Sequence, residues 1–113
     1  MNTDLSVVVP VYNEDNNINP LYREITSALS SLAKTYEIIF VDDGSNDNTF
    51  QVLKEIREKD EQVKIIKFRR NFGKSAALNS AFNFVKGNII ITIDGDLQDD
   101  PAEIPNFVDA IES

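Results

Sequence analysis

A chain of 113 residues with 42 % apolar composition has material for one domain around one core, and too much of it for a disordered segment. Its net charge of −8 excludes a nucleic-acid binder acting over its whole surface, because neutralising phosphates takes a basic face. With neither cysteine nor histidine, disulfides, thiolate zinc sites and imidazole bases are excluded, which leaves carboxylates, amides and hydroxyls for acid–base or metal chemistry.

No run of about 18 apolar residues reads as a membrane span, and Met1-Asn2-Thr3-Asp4 lacks the basic and apolar regions of a signal peptide. The first strand is predicted over Leu5–Val9, a β-branched run that Pro10 ends. Asn19-Pro20 reads as a helix cap with a first-turn proline, followed by Leu21, Ile25, Ala28, Leu29 and Leu32 at helical spacing. Glu37–Val41 is a second strand, closing in the turn cluster Asp42-Asp43-Gly44-Ser45. Asn46 or Asp47 is expected to cap the next helix, whose apolar face is Phe50, Leu53 and Ile56. Val63–Phe68 is a third strand, and its partial alternation places it at or near a sheet edge. Arg69–Lys74 is a loop, and Ser75–Val85 an alanine-rich helix with Gly87 as its stop. Asn88–Ile93 is a strongly apolar fourth strand, expected at the centre of the sheet. A last helix carries Ile104, Phe107, Val108 and Ile111. Its start stays open, since Pro101 and Pro105 do not both fit one helix interior.

The order βαβαβαβα predicts parallel strands joined by right-handed crossovers, hence a doubly wound, mainly parallel α/β sheet with flanking helices, in a single domain over residues 1–113. Ligands of such sheets bind beyond the carboxyl ends of the strands. The chain's polar clusters sit at those ends. Asp94-Gly95-Asp96 follows the fourth strand, where two carboxylates around a glycine can converge on one divalent cation. Oxygen-only ligands suit Mg²⁺ or Mn²⁺, and Gln98 offers a further carbonyl. Asp-Gly is also a common turn, so the turn reading stays open. In Asp42-Asp43-Gly44-Ser45, one aspartate is expected to accept from a base or ribose and the other to build the turn. In Pro10-Val11-Tyr12-Asn13-Glu14, Tyr12 is placed to stack on a base and Glu14 to accept from it or its ribose. Arg69-Arg70-Asn71-Phe72-Gly73-Lys74 sets cations at a helix N-terminus, where an anion binds well.

Four segments in this order, PVYNE (residues 10–14), VDDGSNDNT (41–49), RNFGKSAAL (70–78) and DGDLQDDP (94–101), resemble family-2 glycosyltransferases of the GT-A fold, a Rossmann-like architecture. Within them the chain looks like the polyprenyl-phosphate branch, the dolichyl-phosphate mannose synthases and undecaprenyl-phosphate glycosyltransferases. The resemblance implies that Pro10, Tyr12, Glu14, Asp42 and Asp43 hold the nucleoside side of a UDP- or GDP-linked sugar. It implies that Asp94, Asp96 and Gln98 hold the metal and the diphosphate, and that Arg70 and Lys74 lie near the phosphates or the acceptor. A hexose would pass from the nucleotide diphosphate sugar to polyprenyl phosphate. Asp99-Asp100-Pro101 departs from the Asp-Pro-Pro often found after Leu-Gln in the family.

Family members continue past this point, so the chain is expected to stop before the acceptor side, with the catalytic base beyond Ser113. By the same expectation the fragment alone is inactive. It is cytoplasmic and free of nucleic acid, and any membrane contact comes through C-terminal segments that this chain lacks. A homo-oligomer is the expected result of an exposed sheet edge. Three other functions compete with this one. A phospho-acceptor receiver-like domain would need its acidic pair after the first strand. A sugar-phosphate nucleotidyltransferase would need a glycine-rich basic loop there. A non-catalytic nucleotide- or metal-binding module stays open.

Overall fold

The computed structural model describes residues 3–94 and 100–112. The elements run β1 (Thr3–Val11), α1 (Ile18–Ser30), β2 (Tyr36–Asp42), α2 (Thr49–Lys59), β3 (Val63–Lys67), α3 (Lys74–Phe82), β4 (Gly87–Thr92), a 3-10 turn (Pro101–Glu103) and α4 (Ile104–Glu112). The four strands form one parallel sheet in the order β3-β2-β1-β4. The doubly wound expectation holds in its essentials. Leu5, Val7, Val9 and Val11 face a core shared with α1, α2 and α4; Val8, Ile39 and Val41 face the opposite layer, closed by Ala77 and Ala81 of α3. Successive residues of a strand point to opposite faces. The apolar runs of β1 and β2 therefore serve two layers at once, as strands covered on both sides do.

Several boundaries differ from the sequence reading. Pro10 does not end β1, which pairs with β2 through Pro10↔Val41 and Val11↔Asp42. The Val8 carbonyl accepts from Ile93 N–H on the β4 side at 2.9 Å. By alternation Pro10 turns its donorless nitrogen to that same side, past the last β1–β4 pair, Val8↔Thr92. The ladder thus loses no bond. The start of α1 lies ahead of Asn19-Pro20: Asn17 is its cap residue, and Pro20 falls in the first turn, where its missing N–H matters little.

β4 is not central. Among the described residues it pairs with β1 alone, and Ile90 on its α3-side face is 43 % exposed. Apolar strength marked burial of one face of β4, and the unpaired edge carries no signal in the residues. The expected edge position of β3 holds. Helix α3 ends at Phe82, before Gly87, which opens β4 instead. A Cβ on Gly87 would lie 2.5 Å from Ser6 N, so glycine is required by the close approach of β1. The two prolines near the C-terminus are resolved by a change of helix type. Pro101 opens the 3-10 turn, capped by Asp100 Oδ1 accepting from Ala102 N–H at 3.0 Å, and Pro105 lies in the first turn of α4. Ile104 and Val108 are buried, whereas Phe107 and Ile111 are exposed.

At the rim opposite the polar clusters lies a latch that no motif announced. Glu37, 2 % exposed, accepts from Ser6 Oγ (2.6 Å), Lys64 Nζ (2.8 Å) and Lys86 N–H (2.6 Å), while Gly87 N–H donates to Ser6 Oγ at 2.8 Å. Burial raises the Glu37 pKa, but the bonds from Lys64, Ser6 and Lys86 outweigh it, and the carboxyl titrates below the usual range.

Candidate functional site

The carboxyl ends of β1, β2 and β3 bring three loops together, with Asp94 following β4. The first two are zipped by hydrogen bonds. Asn13 N–H donates to Ser45 Oγ (2.9 Å) and Asn46 N–H to Asn13 Oδ1 (2.8 Å); Glu14 N–H donates to Thr49 Oγ1 at 2.9 Å. Asn13 has φ 53°, a left-handed backbone that asparagine tolerates better than most residues. Its reciprocal pairing with the 45–46 segment holds that conformation. Asp47, expected as a cap, accepts from Thr49 N–H (2.9 Å) and Thr49 Oγ1 (2.6 Å). Burial raises its pKa, and the bonds from Thr49 and the Asp15 amide outweigh it, so the shift is downward. The cap residue of α2 proper is Asn48.

On this frame the predicted site residues take distinct positions. Asp42, 0 % exposed, ends β2; its Oδ1 accepts from Ser45 N–H at 2.9 Å, and its buried Oδ2 has no partner among the described residues. A buried acceptor left without a donor costs about 1–3 kcal/mol, so this atom is the polar group of the rim whose bonding is least complete among the described residues. Asp43, 4 % exposed, is fully engaged by the third loop: Oδ1 accepts from Phe72 N–H (2.8 Å), and Oδ2 from Gly73 N–H (3.0 Å) and Asn71 Nδ2 (3.2 Å). Pro10 is buried in β1 and Tyr12 is exposed just beyond it. Glu14 is half-buried, and its Oε2 accepts from Asn17 Nδ2 at 2.6 Å.

The third loop carries the cations. The Arg70 guanidinium lies 4.7 Å from the centroid of the Phe72 ring, which meets Phe68 edge-on at 5.6 Å. Gly73, with φ 98°, turns the chain into α3, whose first residue Lys74 forms an ion pair with Asp94 beyond β4. Among the described residues no group of three or more acidic side chains converges to hold a metal ion. Asp96 and Gln98, the other expected ligands, lie outside the described residues.

The family-2 description, glycosyl transferase family 2, matches residues 6–113. The chain belongs to glycosyl transferase family 2. Its similarity extends to an uncharacterized glycosyltransferase of Synechocystis, 43 % identical over 109 residues, covering 96 % of this chain and 34 % of that protein. An undecaprenyl-phosphate 4-deoxy-4-formamido-L-arabinose transferase of Edwardsiella ictaluri is 41 % identical over 107 residues, covering 94 % and 33 %. The chain thus spans about a third of the length of the curated relatives it matches. Among solved structures, a mannosyltransferase of Pyrobaculum calidifontis in complex with GDP-Man and Mn²⁺ has a TM-score of 0.67 at 26 % identity, over 85 % of this chain and 28 % of that one. Glucosyl-3-phosphoglycerate synthase of Mycobacterium tuberculosis, solved with Mn²⁺, UDP and glucosyl-3-phosphoglycerate, scores 0.69 at 26 % identity, over 96 % and 39 %.

These neighbours share the parallel sheet with flanking helices, so this family-2 chain has the GT-A glycosyltransferase fold. Sequence reasoning missed Asn13, Ser45, Thr49 and Asn71 as the residues that hold the family's motif loops together. Their signal was present, as a density of Asn, Asp, Ser and Thr in segments 12–17 and 43–49. It reads equally as ordinary turn composition.

Proposed function

We propose that the protein transfers a sugar, read as a hexose, from a nucleotide diphosphate sugar to polyprenyl phosphate, and that this chain binds the donor. The observation that carries the reading is the buried Oδ2 of Asp42 at the carboxyl edge of the sheet, unpartnered among the described residues. A base N–H or ribose hydroxyl supplies the donor that this oxygen lacks. Tyr12, exposed just past the end of β1, offers a ring face for stacking, and Glu14 a second acceptor. Support for the acceptor comes from the undecaprenyl-phosphate transferases among the relatives, and for the donor from neighbours solved with GDP-Man or UDP.

Asp94 supplies a carboxylate at the rim, and the chain's donors are oxygen atoms only, which fits Mg²⁺ or Mn²⁺. Asp94, Asp96 and Gln98 would hold the ion, whose chemistry is to offset charge collecting on the departing diphosphate. Arg70 and Lys74 add fixed positive charge for the diphosphate or for the phosphate of the acceptor. In this reading the chain works in the cytoplasm, the intact protein at the cytoplasmic face of a membrane, and a homo-oligomer forms through the sheet edge. Among the described residues no helix is long and apolar enough to cross a membrane.

Calorimetric titration of UDP and of GDP, with and without Mn²⁺, tests the proposal. Metal-dependent binding is expected, with Asp96→Ala removing the metal dependence and Asp42→Asn weakening affinity about tenfold or more, roughly one lost charge-assisted hydrogen bond. No binding by a folded sample, nor by a longer version carrying the remainder of the protein, would overturn it.

A further inference from the structure

We propose that Asp43 is a positioning residue: its carboxylate sets the Arg70–Lys74 segment for the donor's diphosphate and does not itself touch the donor. The inference rests on the donor-site reading above. Asp43 and Asp42 are sequence neighbours of the same type, yet their carboxylates are differently engaged. Asp42 keeps a buried oxygen without a partner among the described residues, whereas both oxygens of Asp43 accept from residues 71–73. Asn71 Nδ2 also reaches the Asp43 backbone carbonyl at 3.3 Å, which closes the clasp on both sides.

The backbones are equally committed. A Cβ on Gly44 would lie 2.2 Å from Arg70 C and 2.5 Å from Asn71 N, so the turn after β2 rests directly on the loop after β3. With the Phe72 and Gly73 amides given to Asp43, what these positions present to an anion is the side chains on either hand, Arg70 and Lys74. Gly73 at φ 98° then fixes where Lys74 begins α3, and Lys74 meets Asp94. One buried carboxylate thereby ties the end of β2 to the residue that pairs with the end of β4.

The test compares the wild-type chain, Asp43→Asn, Lys74→Ala and the double variant. Hydrogen exchange at the Phe72 and Gly73 amides is read alongside affinity for UDP with Mn²⁺ and for uridine alone. In Asp43→Asn, exchange at Phe72 and Gly73 is expected to rise while β1 and β2 stay protected. Affinity for UDP is expected to fall about tenfold with that for uridine unchanged, and to fall by less in the Lys74→Ala background, where only Arg70 is left to position. Asn71→Ala, which removes the other side of the clasp, should shift affinity in the same direction. Unchanged exchange, losses that multiply in the double variant, or an equal loss for uridine would overturn the proposal. A wild-type chain that binds no nucleotide would instead count against the donor-site reading, and the exchange arm would still decide whether Asp43 holds the loop.

Discussion

The residue with least freedom at the site is Gly44. Its φ of 77° disfavours any side chain, and a Cβ would collide with backbone atoms of Arg70 and Asn71, which cannot swing aside. Gly44→Ala is expected to cost about 2–4 kcal/mol, read from the urea midpoint, through strain and overpacking together. Gly73→Ala should cost less, about 1 kcal/mol, because its φ of 98° is strained but nothing stands within 4 Å of the added carbon. At this scale the sequence was legible as a set of residue types and illegible as a division of labour. The acids at 42 and 43 stood out, and one was expected to build the turn. Which one is engaged by the third loop depends on Asn71, Phe72 and Gly73, about thirty positions along the chain, and no local pattern encodes that contact.

At the scale of elements, the Glu37 latch joins β1, β2, β3 and the entry to β4. Because its folded-state pKa is depressed, its contribution is present above the ordinary glutamate range and is lost as pH falls through the lowered folded value. The melting temperature should therefore hold near neutrality and drop in acid. Glu37→Gln should flatten that drop and cost about 1–2 kcal/mol at pH 7, one charge-assisted bond partly screened by the half-exposed Lys64. The elements themselves were largely readable, since β-branched runs and helical spacing survive whatever lies beside them. The misreadings came where a residue's meaning depends on a neighbour. Pro10 is harmless because β4 has already parted from β1, and Gly87 serves close packing on Ser6 rather than helix termination.

For the whole molecule, the strand order leaves β4 with one edge unpaired among the described residues, and its Ile90 is exposed. Open edges of this kind pair with other chains unless a charge interrupts them. Sedimentation velocity on this chain should show association that grows with concentration, and Ile90→Lys should reduce it. An unchanged monomer at all concentrations would count against the edge as an association surface.

The order of the strands also has a consequence in time. β1 is synthesised first, yet it lies inside the sheet, between β2 and β4, and Thr3 waits for Gly87 before that side is covered. On a ribosome, β1, β2 and β3 can assemble early, with Glu37 already bound to Ser6 and Lys64. Until Lys86 and Gly87 emerge, the donors that complete the latch do not exist. The nascent sheet then exposes a backbone edge of apolar β1, bordered at its amino end by a carboxylate still short of one partner.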